Sequence, residues 1–190
     1  MFFIIFFIKS LLEEKNIMNT GFGLPSANFD ITIPKKLATL VKRFIENERL
    51  IVFGNYQNIK KVNFQLFNDV EKSMVKPGKV YQVKLFPIER REVTFEECLL
   101  FLKSQGAILV GDLGILLLVN ILWEHCERWH WVIPDTHIVS LNEKEFIKRN
   151  NEYLTMSLFR SSGGGYDVSL RDIKTGFRSM HHLMCLCEKK

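Results

Sequence analysis

The stretch that decides the fold is KVYQVKLFPIERREVTFEECLLFLKSQGAILVG, which runs from Lys79 to Gly111. Residues 79–88 alternate apolar and polar side chains and close at Pro87, and this pattern predicts a β-strand. The apolar run at 107–111 predicts a second strand, buried on both faces of a sheet. Because the segment between them has helical spacing, the stretch predicts a strand–helix–strand unit.

The predicted helix has signals at both ends. Thr94 and Glu97 have the spacing of a capping box, in which each side chain accepts a hydrogen bond from the other residue's backbone N–H. Gly106 lies just past the end of FEECLLFLKSQ, where a helix commonly stops. We therefore expect a helix that begins after Thr94 and ends before Gly106.

The rest of the chain carries weaker helix and strand signals. Residues 115–123, ILLLVNILW, are apolar all round and fit either element; their length and the preceding Gly111–Gly114 turn favour a strand. Ser140 and Glu143 repeat the capping-box spacing and predict a helix over 141–150. The other predicted elements are helices over 34–49 and 63–74 and strands over 50–53, 129–135, 152–159, 166–172 and 182–187.

These elements predict an α+β fold, with a small N-terminal helical segment followed by a mixed α/β domain. The last third of the chain is expected to be rich in strands and loops. The turn at 76–79 is the best candidate boundary. We therefore predict a helical subdomain over 18–78 and an α+β domain with presenting loops over 79–190.

We predict that translation begins at Met18 and that residues 1–17 are an erroneous extension of the reading frame upstream of it. Glu13 and Glu14 can be encoded by GAGGAG, followed by AT-rich codons and the ATG of Met18, which would look like a bacterial ribosome-binding site. A short apolar membrane anchor is the alternative. Its apolar run is far shorter than the roughly 20 residues that a membrane span requires.

The composition, with 47% hydrophobic and 25% charged residues, is that of a globular protein. The net charge of +5 lies in the first half, since residues 1–90 carry +6 and residues 91–190 carry −1. The basic helix at 35–49 is therefore the candidate for nucleic-acid binding. No aromatic residue alternates with its bases to stack nucleotides, which favours a solvated helix face instead.

The histidines and cysteines form two groups that could bind zinc. In a strand, Cys185 and Cys187 would point to one face, with His181 in phase. Thiols on a buried strand also serve as small hydrophobic residues, and this alternative stays open. The candidate ligands are His125, Cys126, His130, His181, Cys185 and Cys187.

Cysteine usage favours a reducing, cytoplasmic compartment. Of the four cysteines, Cys185 and Cys187 are one residue apart and Cys98 falls in a predicted helix, so a disulfide framework is disfavoured. Cys126 beside His125 is no catalytic pair, because neighbours in a strand face opposite ways. A G-x-S-x-G elbow is absent, so nucleophilic catalysis is not indicated.

The glycine-rich segment RSSGGGYD at 160–167 lacks the features of a phosphate loop. A P-loop needs Lys-Ser/Thr after its last glycine, whereas Tyr166 and Asp167 follow here. Tyr, Ser, Gly and Arg over apolar strands are typical of recognition surfaces, although an ordinary solvated hairpin fits as well. The candidate contact residues are Arg160, Ser161, Ser162, Tyr166, Asp167, Arg171, Asp172, Arg178 and His181, with Trp129 and Trp131 as a floor.

Four segments carry a resemblance: FPIERREVTFEECLLFLKSQGAILVGDLG (86–114), SLNEKEF (140–146), YDVSL (166–170) and CLC (185–187). Over roughly residues 80–190 the chain resembles a group of small bacterial proteins that is frequent in candidate-phyla genomes. That group, with variable C-terminal loops and an invariant last strand, is similar to C-type-lectin-like domains diversified by retroelements. The resemblance implies a binding module in which the varied loop side chains contact the ligand.

Three functions therefore remain open. The first is a non-enzymatic module that binds a protein or glycan through residues 160–182. The second is a zinc-binding protein or metal-dependent enzyme built on the His and Cys groups. The third and weakest is nucleic-acid binding through the helix at 35–49.

Overall fold

The structure is a computed structural model that describes residues 21–36, 39–40, 51–52, 75–124, 136–142, 147–149, 152–160 and 166–189. These residues form an α+β fold in which one mixed sheet has a helix packed on each face. Neither described helix has the length and apolarity needed to cross a membrane.

The sheet has eight described strands. They are β1 (Ala27–Thr32), β2 (Ile51–Val52), β3 (Val80–Pro87), β4 (His137–Ser140), β5 (Ile147–Arg149), β6 (Glu152–Arg160), β7 (Tyr166–Asp172) and β8 (His181–Glu188). The helices are α1 (Phe95–Ser104) and α2 (Asp112–Glu124), and a 3-10 turn spans Ile173–Thr175. The strand order is β1-β3-β8-β4-β6-β7-β2, and β5 pairs with the start of β6.

Strand β8 lies inside the sheet, antiparallel to β3 and parallel to β4. Its residues from His181 to Cys187 are all buried, because both faces of the strand are covered. Met184 and Leu186 belong to the apolar cluster that includes α2, and Leu183 and Cys185 belong to the cluster that includes α1. We call these two sides of the sheet the α2 face and the α1 face.

Helix α1 confirms the predicted capping box. The Glu97 backbone N–H donates to Thr94 Oγ1 at 3.2 Å, and the Thr94 N–H donates to Glu97 Oε2 at 2.8 Å. Burial of Cys98, Phe101 and Leu102 then fixes the helix on the α1 face. The strand predicted over 79–88 is also confirmed, as β3.

The strand predicted over 115–123 was wrong, because these residues lie in α2. Residues 115–119 are all buried, and a helix that is buried on all sides has no polar stripe to reveal its period. Gly114 permits this burial. A Cβ there would collide with Ser140 Oγ and lie 2.8 Å from Met184 Sδ.

Asp112, at the start of α2, forms hydrogen bonds with a part of β6 that has no strand partner on that side among the described residues. On one side, β4 pairs with residues 157–159 of β6 and β5 pairs with residues 152–154. Asp112 lies between these two pairings. Its Oδ1 accepts a hydrogen bond from the Met156 backbone N–H at 2.9 Å and one from the Thr155 hydroxyl at 3.4 Å. The carboxylate thus supplies the acceptor that a neighbouring strand would otherwise supply.

Two further predicted elements were wrong. In 107–111 only Ile108 makes a strand-like bridge, to Leu186, and the helix predicted over 141–150 is contradicted by β5. Pairing with β8 and β6 overrides the local pattern in both cases. Strands over 152–159, 166–172 and 182–187 are confirmed, and β2 lies within the strand predicted over 50–53. Most of 34–49 and all of 63–74 and 129–135 lie outside the described residues.

Both β1 and β2 come from the segment predicted to be an N-terminal helical subdomain. Strand β1 pairs along its whole length with β3, and β2 pairs in parallel with β7. The described parts of 18–78 therefore contribute two strands to the same sheet as the rest of the chain.

Candidate functional site

The α1 face changes character across the sheet. Under α1, strands β3 and β8 present apolar side chains such as Phe86 and Leu183. Further along, Ser157 of β6 pairs with Ser169 of β7, and their hydroxyl oxygens are 2.8 Å apart. Arg171 follows Ser169 on the same face of β7. The α1 face therefore has a polar half, built on β6 and β7.

Five residues meet at the edge of this polar half: His137, Phe159, Arg171, Phe177 and His181. We call them the His181 cluster. Strand register places His137 between Phe159 and His181. The ring of His137 stacks on Phe159 with centroids 4.5 Å apart and lies 5.3 Å from the His181 ring. Phe177 meets His181 edge-on at 5.7 Å.

The position of the proton on His181 follows from one hydrogen bond. The imidazole is fully buried, and its Nδ1 accepts from the backbone N–H of Arg178 at 2.9 Å. Nδ1 also lies 3.1 Å from the Arg178 carbonyl oxygen. Because the backbone N–H of Arg178 has a fixed direction and points at Nδ1, we assign the single proton of the neutral imidazole to Nε2. Nε2 is buried and has no hydrogen-bond partner among the described residues. Burial, and secondly the charge of Arg171, lower the pKa of His181 to about 4.

Arg171 presents a second donor that has no acceptor among the residues the structure describes. Its Nη2 donates to the carbonyl oxygen of Gly176 at 2.6 Å, and the guanidinium carbon lies 5.6 Å from the centre of the Phe177 ring. The Nε–H is buried without an acceptor in the described part of the chain. Burial, and secondly the charge of Arg178, lower the pKa of Arg171.

Two buried N–H donors without an acceptor among the described residues are costly to keep. Each unpaired buried donor costs about 1–3 kcal/mol. An oxygen acceptor from outside the cluster would relieve this cost, and an anionic oxygen would also be attracted by the Arg171 charge. The chemistry indicated is the binding of an oxygen anion. His181 is poorly suited to general-base catalysis, because its Nδ1 is occupied and its pKa is about 4.

The lowered pKa of His181 predicts that the protein loses stability in mild acid. Between pH 6.5 and about pH 5 the unfolded chain protonates this residue while the folded protein does not. The free energy of unfolding should therefore fall by about 2 kcal/mol over this range. Urea unfolding at several pH values measures the slope. His181→Asn, which keeps an acceptor for Arg178 but does not titrate, should reduce the slope, and the part that is left comes from His182, whose pKa burial also lowers. An unchanged slope in this variant would exclude His181 as a cause.

The structure places the predicted contact residues in different settings. Arg171 and His181 lie together in the His181 cluster, and exposed Arg178 is held beside them by its backbone hydrogen bond. Asp172 instead caps the 3-10 turn, where its Oδ1 accepts from the Lys174 N–H at 3.0 Å. Ser161, Ser162 and the side chains of Arg160, Tyr166 and Asp167 lie outside the described residues, as do Trp129 and Trp131.

Of the predicted zinc ligands that the structure describes, Cys185 and Cys187 lie together, with sulfur atoms 4.0 Å apart, whereas His181 lies apart from them. His181 and Cys185 share the α1 face, but four residues of strand separate them by roughly 13 Å. One ion cannot bind both. The described residues contain no group of three or more His, Cys, Asp or Glu side chains that could hold a metal. His125, Cys126 and His130 lie outside the described residues.

Three members of the His181 cluster were not predicted from the sequence. His137 and Phe159 are distant in the chain from Arg171 and His181, whereas Phe177 lies between those two residues, and no local motif marks any of the three. Pairing of β4 with both β6 and β8 places His137 and Phe159 beside His181. A β-bridge to Val93 holds Phe177 in position. Comparisons of the chain with known protein families, curated proteins and solved structures found no match in any of the three.

Proposed function

We propose that this protein is a non-enzymatic binding module whose contact surface is the turn at 178–180 together with the half-buried members of the His181 cluster, His137, Phe159 and Arg171. The unpaired Nε2–H of His181 and Nε–H of Arg171 support this proposal most directly, since both are donors and lack an acceptor among the described residues. The ligand we infer is a protein or glycan that presents a carboxylate or another oxygen anion.

The turn at 178–180 supplies the exposed part of the proposed surface. Arg178 and Met180 are exposed there, with 49% of Met180 accessible to solvent. A cation and a flexible apolar side chain beside buried donors combine attraction for an anion with an adaptable apolar contact. Half-buried Phe159 and His137 add a stacked aromatic edge.

This surface is narrower than the whole segment 160–182. Val168, Ile173, Phe177 and His182 are buried, so exchanging the whole segment would remove part of the core. Single substitutions of exposed residues are the suitable test. The resemblance to C-type-lectin-like domains would place ligand contacts in the same region, and we keep a lectin-like role as part of the proposal. Free, buried Cys98, Cys185 and Cys187 fit the reducing, cytoplasmic setting that we also propose.

Replacing Arg178 by alanine is expected to weaken binding of anionic ligands at least tenfold while leaving the melting temperature unchanged, because this side chain is exposed. An array of acidic peptides and of glycans bearing sialic or uronic acids provides the ligands. Binding constants for the array members that the unsubstituted protein retains are then measured for each variant.

The matched control is Lys36→Ala, which removes one positive charge from an exposed position after β1, at the end of the sheet away from His181. This variant should bind like the unsubstituted protein. Equal losses from both variants would show attraction by net charge alone and would refute a site at the His181 cluster. Retention of no anionic ligand by the unsubstituted protein would refute the proposed function itself.

A further inference from the structure

A second cluster of reactive side chains lies on β8, away from the His181 cluster. Cys185 and Cys187 are two residues apart on the α1 face, and their sulfur atoms are 4.0 Å apart. Both are free thiols. An ion between them with metal–sulfur bonds of about 2.3 Å, the length found for zinc thiolates, would reach both sulfurs without movement of the backbone.

A disulfide fits this pair less well than a shared ion. Alternate residues of a strand have Cα atoms roughly 6.6 Å apart, near the upper limit of about 6.8 Å for disulfides. A disulfide bond between the sulfurs would therefore bend β8. This strand is held on both sides, since Leu183 pairs with β3 on one side and with β4 on the other. The fold favours two thiols that stay separate.

We propose that Cys185 and Cys187 form a binding site for a soft monovalent metal ion of the Cu(I) class. Thiolates select soft ions, and a monovalent ion with a filled d shell is satisfied by two of them. Zinc needs about four ligands, and the described residues hold no third His, Cys, Asp or Glu at this pair. Binding releases two protons from the thiols and leaves a complex with one negative charge.

Lys84 supplies the compensating charge. It pairs with Cys185 across β3 and β8, and its positive charge acts on both sulfur atoms. Gln82 pairs with Cys187 across the same two strands, and apolar Phe101 and Leu102 of α1 belong to the same cluster as both cysteines. Cys187 is 8% exposed and is followed by exposed Glu188, which gives the ion a route from solvent.

The test uses the full chain carrying Cys98→Ser and Cys126→Ser, so that the pair provides the only thiols. Under reducing, anaerobic conditions the protein is titrated with the coloured Cu(I)–bicinchoninate complex. One equivalent of Cu(I) should be withdrawn per chain. Adding Cys185→Ser or Cys187→Ser should each weaken Cu(I) binding at least tenfold.

A second measurement uses the protein that keeps both Cys185 and Cys187 and needs no further substitution. Its melting temperature is measured with and without Ag(I), and Ag(I) should raise it. Failure to withdraw Cu(I), together with no shift by Ag(I), would overturn the proposal. Equal binding after either serine substitution would do so as well. Tighter binding of zinc than of Cu(I), dependent on the same cysteines, would reassign the site to a divalent ion.

Discussion

Replacing Phe101 by alanine is expected to lower the free energy of unfolding by about 3–5 kcal/mol, the range for deleting a buried phenylalanine. The Phe101 ring stacks on Phe22 with centroids 4.1 Å apart and meets the edge of Phe86 at 5.0 Å. The ring joins α1 to two segments that precede it in the chain, one at Phe22 and one in β3, so the cavity would loosen the docking of the helix on the α1 face. Chemical denaturation monitored by circular dichroism measures the loss.

The adjacent Leu100 provides the control, because 68% of its side chain is exposed on the same helix. Leu100→Ala should change stability by no more than about 0.5 kcal/mol. Since a domain of this kind has only about 5–15 kcal/mol of stability in total, the two variants should be easily separated. Similar losses in both would mean that α1 does not pack through the face described.

Replacing Asp112 by alanine is expected to destabilise the protein by about 3 kcal/mol. The carboxylate accepts the Met156 backbone N–H at 2.9 Å inside the sheet, and its removal leaves that donor without an acceptor. A negative charge at the start of α2 also interacts favourably with the helix dipole, and this contribution is lost too. Equilibrium unfolding measures the total, and amide exchange at Met156 should become faster.

Two companion variants separate these effects. Asp112→Asn keeps an oxygen acceptor for Met156 but removes the charge, so its loss should be smaller. Asp30→Ala removes an exposed carboxylate paired with Lys189, and its effect should stay below about 1 kcal/mol. If Asp112→Ala were as mild as Asp30→Ala, β6 would not depend on the carboxylate for its pairing.

Local signals predicted α1 and β3 because each is decided by neighbours in the chain. A capping box specifies where α1 begins. Apolar and polar residues alternate along β3 because one face of the strand is buried against apolar residues and the other face is half-buried. Helix α2 gave no such signal, since burial on every side removes the polar stripe. Strand β5 was mistaken for helix because its three residues are ordered by pairing with β6, a tertiary effect.

The sequence predicted only the part of the candidate site that comes from the C-terminal stretch of the chain. Arg171, Arg178 and His181 lie within one stretch of about ten residues, whose composition already suggested a contact surface. The sequence could not indicate that His137 and Phe159 face them, because that depends on the register of β4 between β6 and β8. Nor could it show that two buried donors lack acceptors within the described part of the chain, because that depends on the packed arrangement.

The interior place of β8 has a consequence for synthesis of the protein. Translation produces β1 and β3, then β4, β6 and β7, and only afterwards the strand that joins these two groups. While β8 is still in the ribosomal exit tunnel, β3 and β4 have open edges that other chains can pair with. We therefore expect nascent chains that lack β8 to need chaperone protection, and folding to finish only after the last described strand has emerged.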